Sequence, residues 1–432
     1  MHIKIKHSVF ALALLAAGCT KDDPVPQEVP STFRVHIDEV DSYNFGPDDR
    51  YPYEYFPILV MEGLPEGERL LRLGGGFAHW TSAPDTTDYK TMWDCTSVET
   101  IVQWDWSSPL TRDAAANLFQ LLPGRTYYFT GTVVTDRGTY RSNTVEIRSE
   151  KSAPVSVSPD AYRIPVVFHL FPDEGGRYPQ AVMLYDMLEY ANMIFGHYYG
   201  LPHQCDAQVC FVPAERDPQG RPLESPGIRY EQERVYVDAA RRVHGLDSDI
   251  HLWDMEQVLN VWVCPFDMEM EDNSVLAGFS WLPFFDAEHL LPGCEVFDPE
   301  IFTGIFLNSG EVFHYAGNLQ IFAHEAGHFL GLEHVFEEDW CEDTPRYDRE
   351  SYESRMGELW YEREYADAPG SYFFSDNVMD YFYSVYSGVT PAQAGRIRHT
   401  LRYAYNIPGE AGMTSPRLRS ARPARLAPNP VW

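Results

Sequence analysis

The chemistry of this chain is concentrated in the run H-E-x-x-H-x-x-G-x-x-H formed by His324, Glu325, His328, Gly331 and His334. Histidines four apart lie one turn apart on the same helix face, so the His324 and His328 imidazoles can share one ion. Glu325 follows the first of them and can point beside that ion. Gly331 can take a backbone conformation closed to other residues, letting the chain leave the helix and bring His334 round as a third ligand. Three neutral imidazoles with one open position make a catalytic zinc site. Bound zinc lowers the pKa of its water to about 7, and a neighbouring carboxylate can then take the proton. With ordinary residue usage the five fixed positions coincide by chance in a chain this long on the order of once in 10⁴. A core helix with incidental histidines is therefore the weaker reading.

The elements that must position these residues lie in the second half of the chain. Buried-strand patterns are expected at 163–171, 207–213, 258–264, 277–282 and 304–308. A long helix is expected at 179–199, with Val182, Leu184, Leu188, Ala191, Ile194 and Phe195 on one stripe. The motif helix begins near Asn318. Strand, helix, strands and helix in this order predict an α+β domain, a mixed sheet with helices packed on it, over 161–408.

The first half has a different texture. Residues 32–150 show short alternating strands and turns, clearest from Leu121 through the Asp136-Arg137-Gly138 turn to Ile147. The L-x-P-G-x-x-Y run ending at Tyr127 resembles the tyrosine corner of fibronectin type III and immunoglobulin-like sandwiches. An all-β sandwich is expected to precede the catalytic domain, joined to it by a Pro-containing linker at 151–160. Trp80, Trp93, Trp104 and Trp106 fit its core and rim, with a sugar or protein contact surface as the functional alternative.

At the start, Lys4 and Lys6 precede an apolar run too short to span a membrane as a mature helix, ending at Gly18-Cys19. Residues 1–19 resemble a lipoprotein signal peptide, with Cys19 as the lipidated residue and Ala16 in place of the usual Leu. Residues 20–31 form a Pro- and acid-rich tether. Lys21-Asp22-Asp23 resembles the acidic export signal of surface lipoproteins in some Gram-negative bacteria, and a merely hydrophilic tether explains it equally well. An exported protein anchored in the outer membrane is the expectation. The formal charge of the 432 residues is −31, which argues against nucleic acid and anionic membrane surfaces as partners. Residues 409–432 carry Arg417, Arg419, Arg422 and Arg425 among Ser, Pro and Ala, and read as a disordered basic tail.

Beyond the zinc motif, Asn377-Val378-Met379-Asp380-Tyr381 resembles the Met-turn of metzincins, in which a Met lies beneath the zinc-binding imidazoles. From about Arg163 to Tyr405 the chain resembles the pappalysin-like metzincins, especially their bacterial zinc-dependent lipoprotein members. The resemblance includes I-P-V-V-F-H at 164–169, D-P-x-G at 217–220, L-N-V-W-V at 259–263 and A-G-F-S-W-L-P at 277–283. It also includes E-D-T-P at 342–345 and T-P-x-Q at 390–393. The last opens a helix, with Thr390 as N-cap and Pro391 in the first turn.

The resemblance implies endopeptidase action on a protein or peptide, with Glu325 moving the proton and Tyr381 near the metal as ligand or oxyanion donor. It implies that substrate pairs with an edge strand, placed at Ala277, Gly278, Phe279, Ser280 and Trp281. Residues 381–387 would wall the pocket beyond the scissile bond, and their aromatic character argues against a charge-selecting pocket. Some relatives carry calcium near the segment matching Glu342, Asp343 and Thr344, and hard carboxylate oxygens suit that ion. A solvated acidic loop explains the same residues. Cys95, Cys205, Cys210, Cys264, Cys294 and Cys341 allow 15 full pairings, and spacing does not choose among them. The competing reading is a surface adhesin, a glycan- or protein-binding lipoprotein whose zinc domain is secondary or inactive. A zinc amidase or deacetylase shares the metal chemistry but not the metzincin context.

Overall fold

The computed structural model describes residues 34–44, 53–62, 70–80, 126–148, 158–267 (without 177 and 180), 276–310, 319–408 (without 360 and 382) and 425–431 (without 429). The leader with Cys19, the tether, and Trp93, Cys95, Trp104 and Trp106 lie outside them. The N-terminal part contributes β1 (Arg34–Asn44) paired antiparallel with β2 (Tyr53–Glu62). A second antiparallel sheet runs β3 (Leu70–Trp80), β4 (Thr126–Thr135) and β5 (Thr139–Arg148). The β4–β5 hairpin turns at Asp136-Arg137-Gly138, where the sequence placed a turn.

The C-terminal part is built on one mixed sheet. Its strands are β6 (Tyr162–Leu170), β7 (Val209–Pro213), β8 (Ile228–Tyr230), β9 (Leu259–Cys264), β10 (Gly278–Ser280) and, after the short β11 (Ile301–Phe302), β12 (Ile305–Asn308). The order is β10-β12-β9-β6-β7, with β8 also against β6. Neighbours are parallel except β10, which pairs antiparallel with β12 and forms the edge. The expected edge strand is therefore present but shorter, with Ala277 and Trp281 flanking it.

Both faces of the sheet are covered, so its strands are apolar throughout rather than alternating. Along β9, Leu259, Val261 and Val263 join one core, while Trp262 and Cys264 join the other. The first core is roofed by α1 (Ala181–Phe195) and α2 (Gln320–Phe329), the motif helix. Phe322 of α2 is fully buried against Phe168 and Phe211, ring centroids 5.7 and 5.2 Å away. Burying such a ring contributes about 1.5–3 kcal/mol and fixes which face of the helix meets the sheet. Among the described residues no helix is long and apolar enough to cross a membrane.

Two helices follow. α3 (Arg349–Leu359) has no apolar stripe and buries only Tyr352 and Leu359, which is why periodicity did not announce it. α4 (Pro391–Tyr403) starts with the expected Thr390 cap and a complete capping box with Gln393. Cys205, Cys210, Cys264, Cys294 and Cys341 are all free thiols. The expectation of a disordered tail is corrected for its far end. Residues Arg425–Leu426 form β13, parallel to β11, and Leu426 and Ala427 pack into the second core, because this short stretch carries apolar residues that the basic composition of 409–432 hides.

Candidate active site

The α2 helix presents His324 and His328 on one face, and a glycine-terminated turn delivers His334. Gly331 has φ +92°. Its N–H bonds the His328 carbonyl at 2.8 Å and the Leu332 N–H bonds the Gly327 carbonyl at 2.9 Å, the paired bonds of a Schellman motif. Arg396 of α4 holds this turn by donating to the Gly331 carbonyl at 3.0 Å. The three rings converge, with centroids 4.6 to 5.3 Å apart, and their ligand atoms lie within 4.8 Å of one another.

Each ring is turned by its other nitrogen. His324 Nδ1 bonds the Val378 carbonyl and His328 Nδ1 the Leu332 carbonyl, both at 2.8 Å. His334 Nδ1 faces the Glu337 carboxylate at 3.4 Å. A protonated Nδ1 on each leaves Nε2 as the lone-pair nitrogen facing the centre. His324 Nε2 is buried without a protein partner, and His328 Nε2 lies 3.1 Å from His334 Nε2. Burial pushes the His324 imidazole down to about 4. His328 and His334 are also held well below the ordinary range, by burial first and then by neighbouring imidazoles. The set is neutral, buried and nitrogen-only, and it fits zinc.

Glu325 is buried, and its Oε2 has no protein partner. Burial pushes its carboxyl well above the usual range. The edge strand passes directly beside it: a Cβ on Gly278 would come within 3.0 Å of Glu325 Cγ and Oε1. Gly278 thus brings the strand's backbone to the Glu325 carboxylate, the close approach that glycine permits.

Met379 is fully buried against the motif helix. A Cβ on Gly327, between the two helical histidines, would fall 2.3 Å from Met379 Sδ. The turn is closed by the Asp380 N–H bonding the Asn377 carbonyl at 3.2 Å. Asn377 also accepts from the Met379 N–H at 2.9 Å and exchanges side-chain amide bonds with Gln393 at 2.8 and 3.2 Å. The T-P-x-Q residues therefore support the Met-turn as well as capping α4. Tyr381 sits over the site, its ring 4.6 Å from His334 and 5.4 Å from His324. Burial and then the Glu325 carboxylate push its phenol up, so it stays protonated.

The family model described as pregnancy-associated plasma protein-A, a peptidase family, matches residues 245–402, which hold all of these groups. Residues 245–402 match the pappalysin-type metzincin family. The metzincin domain is accordingly that of a zinc metalloendopeptidase, of α+β architecture. No curated protein matches the chain. Solved structures similar to it include Tannerella forsythia mature mirolysin in complex with a cleaved peptide, at 18% identity and TM-score 0.38, covering 56% of this chain and 92% of that one. Mirolysin in complex with compound 9 covers the same shares at 18% identity and TM-score 0.39.

Other residues singled out from sequence do different work. Asp343 turns its carboxylate to the start of α4, accepting from the Thr390 hydroxyl at 2.6 Å and the Ala392 N–H at 2.9 Å. The Thr344 hydroxyl donates to Asp339 at 2.6 Å, and Glu342 is exposed. Among the described residues the groups close enough to hold an ion are the three histidines and Glu231-Glu233-His251, neither including Glu342 or Asp343. Asp343 thus serves as a cap of α4. The second group is internally satisfied: His251 Nδ1 accepts from the Asp247 N–H and its Nε2 faces Glu233 at 3.4 Å. Glu231 meets His169 at 2.8 Å.

Arg363 was not legible in the sequence. It reads as a surface residue in a Glu-Arg-Glu run, yet it is fully buried. Its guanidinium lies 3.4 Å from Asp380, donates to the Tyr381 and Tyr383 carbonyls at 3.0 and 3.2 Å, and stacks on Tyr352. It holds the wall that follows the Met-turn from behind.

Proposed function

We propose that the chain is an exported, lipid-anchored endopeptidase that cleaves protein chains lying along β10, with Glu325 as the general base. The observation that carries this reading is the placement of Glu325: a buried carboxylate with an orphaned oxygen, on the residue that follows His324 of the imidazole cluster and pressed against Gly278 of β10. A zinc ion held by His324, His328 and His334 supplies Lewis acidity and a water that ionises near neutral pH. Glu325, buried and with Oε2 unpartnered, is suited to take a proton from the attacking water and return it to the leaving amine. Tyr381, kept protonated by its burial, donates to the oxygen that gains charge on the scissile carbonyl. The N–H and C=O groups on the outer edge of β10 hold the substrate extended.

The anchor rests on the leader and Cys19, and the outer-membrane location on the same segment. A fibronectin III-like accessory domain over 32–150 is supported by the antiparallel pairings of β1 to β5. Glu325→Gln should lower kcat/KM on denatured protein by about 10³-fold while one zinc per chain is retained. Tyr381→Phe should lower kcat by about 10- to 100-fold with KM little changed. Peptide-library cleavage with metal analysis of the same samples checks both. Zinc-loaded protein that cuts no peptide or denatured protein would refute the reading.

A further inference from the structure

The free edge of β10 is already paired. The Ser280 N–H bonds the Val431 carbonyl at 3.3 Å, and the Val431 N–H bonds the Ser280 carbonyl at 2.8 Å, in an antiparallel bridge. One residue along, the Trp281 indole N–H donates to the Pro428 carbonyl at 3.1 Å. The segment reaches this position from β13, whose Arg425 N–H bonds the Glu300 carbonyl at 3.2 Å and whose following residue, Ala427, bonds Phe302 at 2.9 Å. Leu426 and Ala427 anchor it in the core that contains Trp281, Phe302 and Phe306.

Alternation along the strand tells which edge this is. The Ala277 carbonyl accepts from Asn308 at 2.9 Å and so faces β12. Gly278 and Ser280 therefore turn their N–H and C=O groups to the opposite edge. That edge is where a peptide would pair, and Gly278 is the position beside Glu325. Ser280 lies about 7 Å further along the strand. Because the bridge is antiparallel, the segment runs from the Trp281 side towards Gly278. A substrate paired the same way, with its scissile bond at Glu325, would lay its preceding residues where Pro428 and Val431 now lie.

Resting on the endopeptidase reading above, we propose that Pro428 and Val431, with the segment they belong to, are a built-in competitor for substrate. They occupy the half of the edge strand that would take the residues N-terminal to the cleaved bond. The partner of this surface is the chain's own segment, and long substrates gain the cleft only when it lifts away. The β13 anchor keeps it at high local concentration after release.

Two variants test this: Val431→Pro, which removes the N–H bonded to Ser280, and deletion of 428–432, which leaves Leu426 and Ala427 in the core. Each is made in the zinc-loaded full chain, alone and with Glu325→Gln. On the Glu325→Gln background, fluorescein-labelled carboxymethylated casein should bind roughly tenfold more tightly in both variants, the size expected for removing competition from two backbone hydrogen bonds. Amide exchange at Ser280 should accelerate. With Glu325 intact, KM for the same casein should fall and kcat should stay. Casein affinity unchanged or weaker in both variants, with Ser280 exchange accelerated, would overturn the competitor role. Slow Ser280 exchange in both variants would overturn the pairing itself. Casein that binds but is never cut by any form with intact Glu325 would instead sink the endopeptidase reading.

Discussion

His324, His328 and His334 each have one nitrogen tied to a protein acceptor and one turned inward. The consequence without metal is a stability that depends on pH. An unfolded histidine binds a proton near pH 6.5, whereas His324 in the fold is pushed down to about 4 and the other two lie well below their ordinary value. Between those values the unfolded chain carries more protons, so stability falls as pH falls from about 6.5 and is unaffected by these groups above it. For His324 alone the loss is on the order of 3 kcal/mol. Urea unfolding of chelated protein should show this slope, and His324→Asn should flatten it. Equal slopes in the two proteins would contradict the argument. At this scale the sequence was informative where spacing carries the message, in the histidines and Glu325. It was silent on carbonyls such as those of Val378 and Leu332, and on Arg363, because main-chain acceptors and isolated buried charges leave no pattern in one chain.

The motif helix and the Met-turn act as a pair, locked by Gly327 on one side and by the Asn377–Gln393 amides on the other. Gly327→Ala tests the pair. Alanine favours the helix by about 1 kcal/mol, while the added methyl, 2.3 Å from Met379 Sδ, forces repacking worth about 1–3 kcal/mol. The two nearly offset, so global stability should change by less than about 2 kcal/mol. The Met floor must still shift, and kcat/KM should drop by about tenfold or more. Wild-type activity in a folded Gly327→Ala protein would show that Met379 does not set the histidine geometry. Elements with strong periodicity, such as α1 and the buried strands, were placed within a few residues by sequence. The α3 helix was missed because its charged surface offers no stripe. The edge strand was found but overextended, since Phe279 and Trp281 pack inward against Phe306 and their apolar character reads as strand in either role.

Across the whole molecule the zinc site joins parts far apart in sequence: the motif helix, the turn at Gly331, the Met-turn and, through Arg396 and Gln393, the α4 helix. Metal bound at about 1,000 times its dissociation constant adds about 4 kcal/mol to the folded state. Removing it by chelation should lower the Tm of the metzincin domain by on the order of 10 °C, followed by calorimetry. An unchanged Tm would mean that the three imidazoles do not bind the ion in the folded state. The division into a β-rich first half and an α+β second half was readable from texture, whereas the return of Leu426 and Val431 to the folded domain was not. Composition marks a segment as unlikely to fold alone and cannot reveal where it docks. The free thiols have a practical bearing on all these measurements. Burial pushes Cys210 and Cys264 up and raises Cys294 and Cys341 to about 12, so at neutral pH they hold their protons, react slowly with oxidants and offer no sulfur to a metal. These four thiols should need no reductant, and leaving it out spares the histidine centre from an additive that would itself bind zinc.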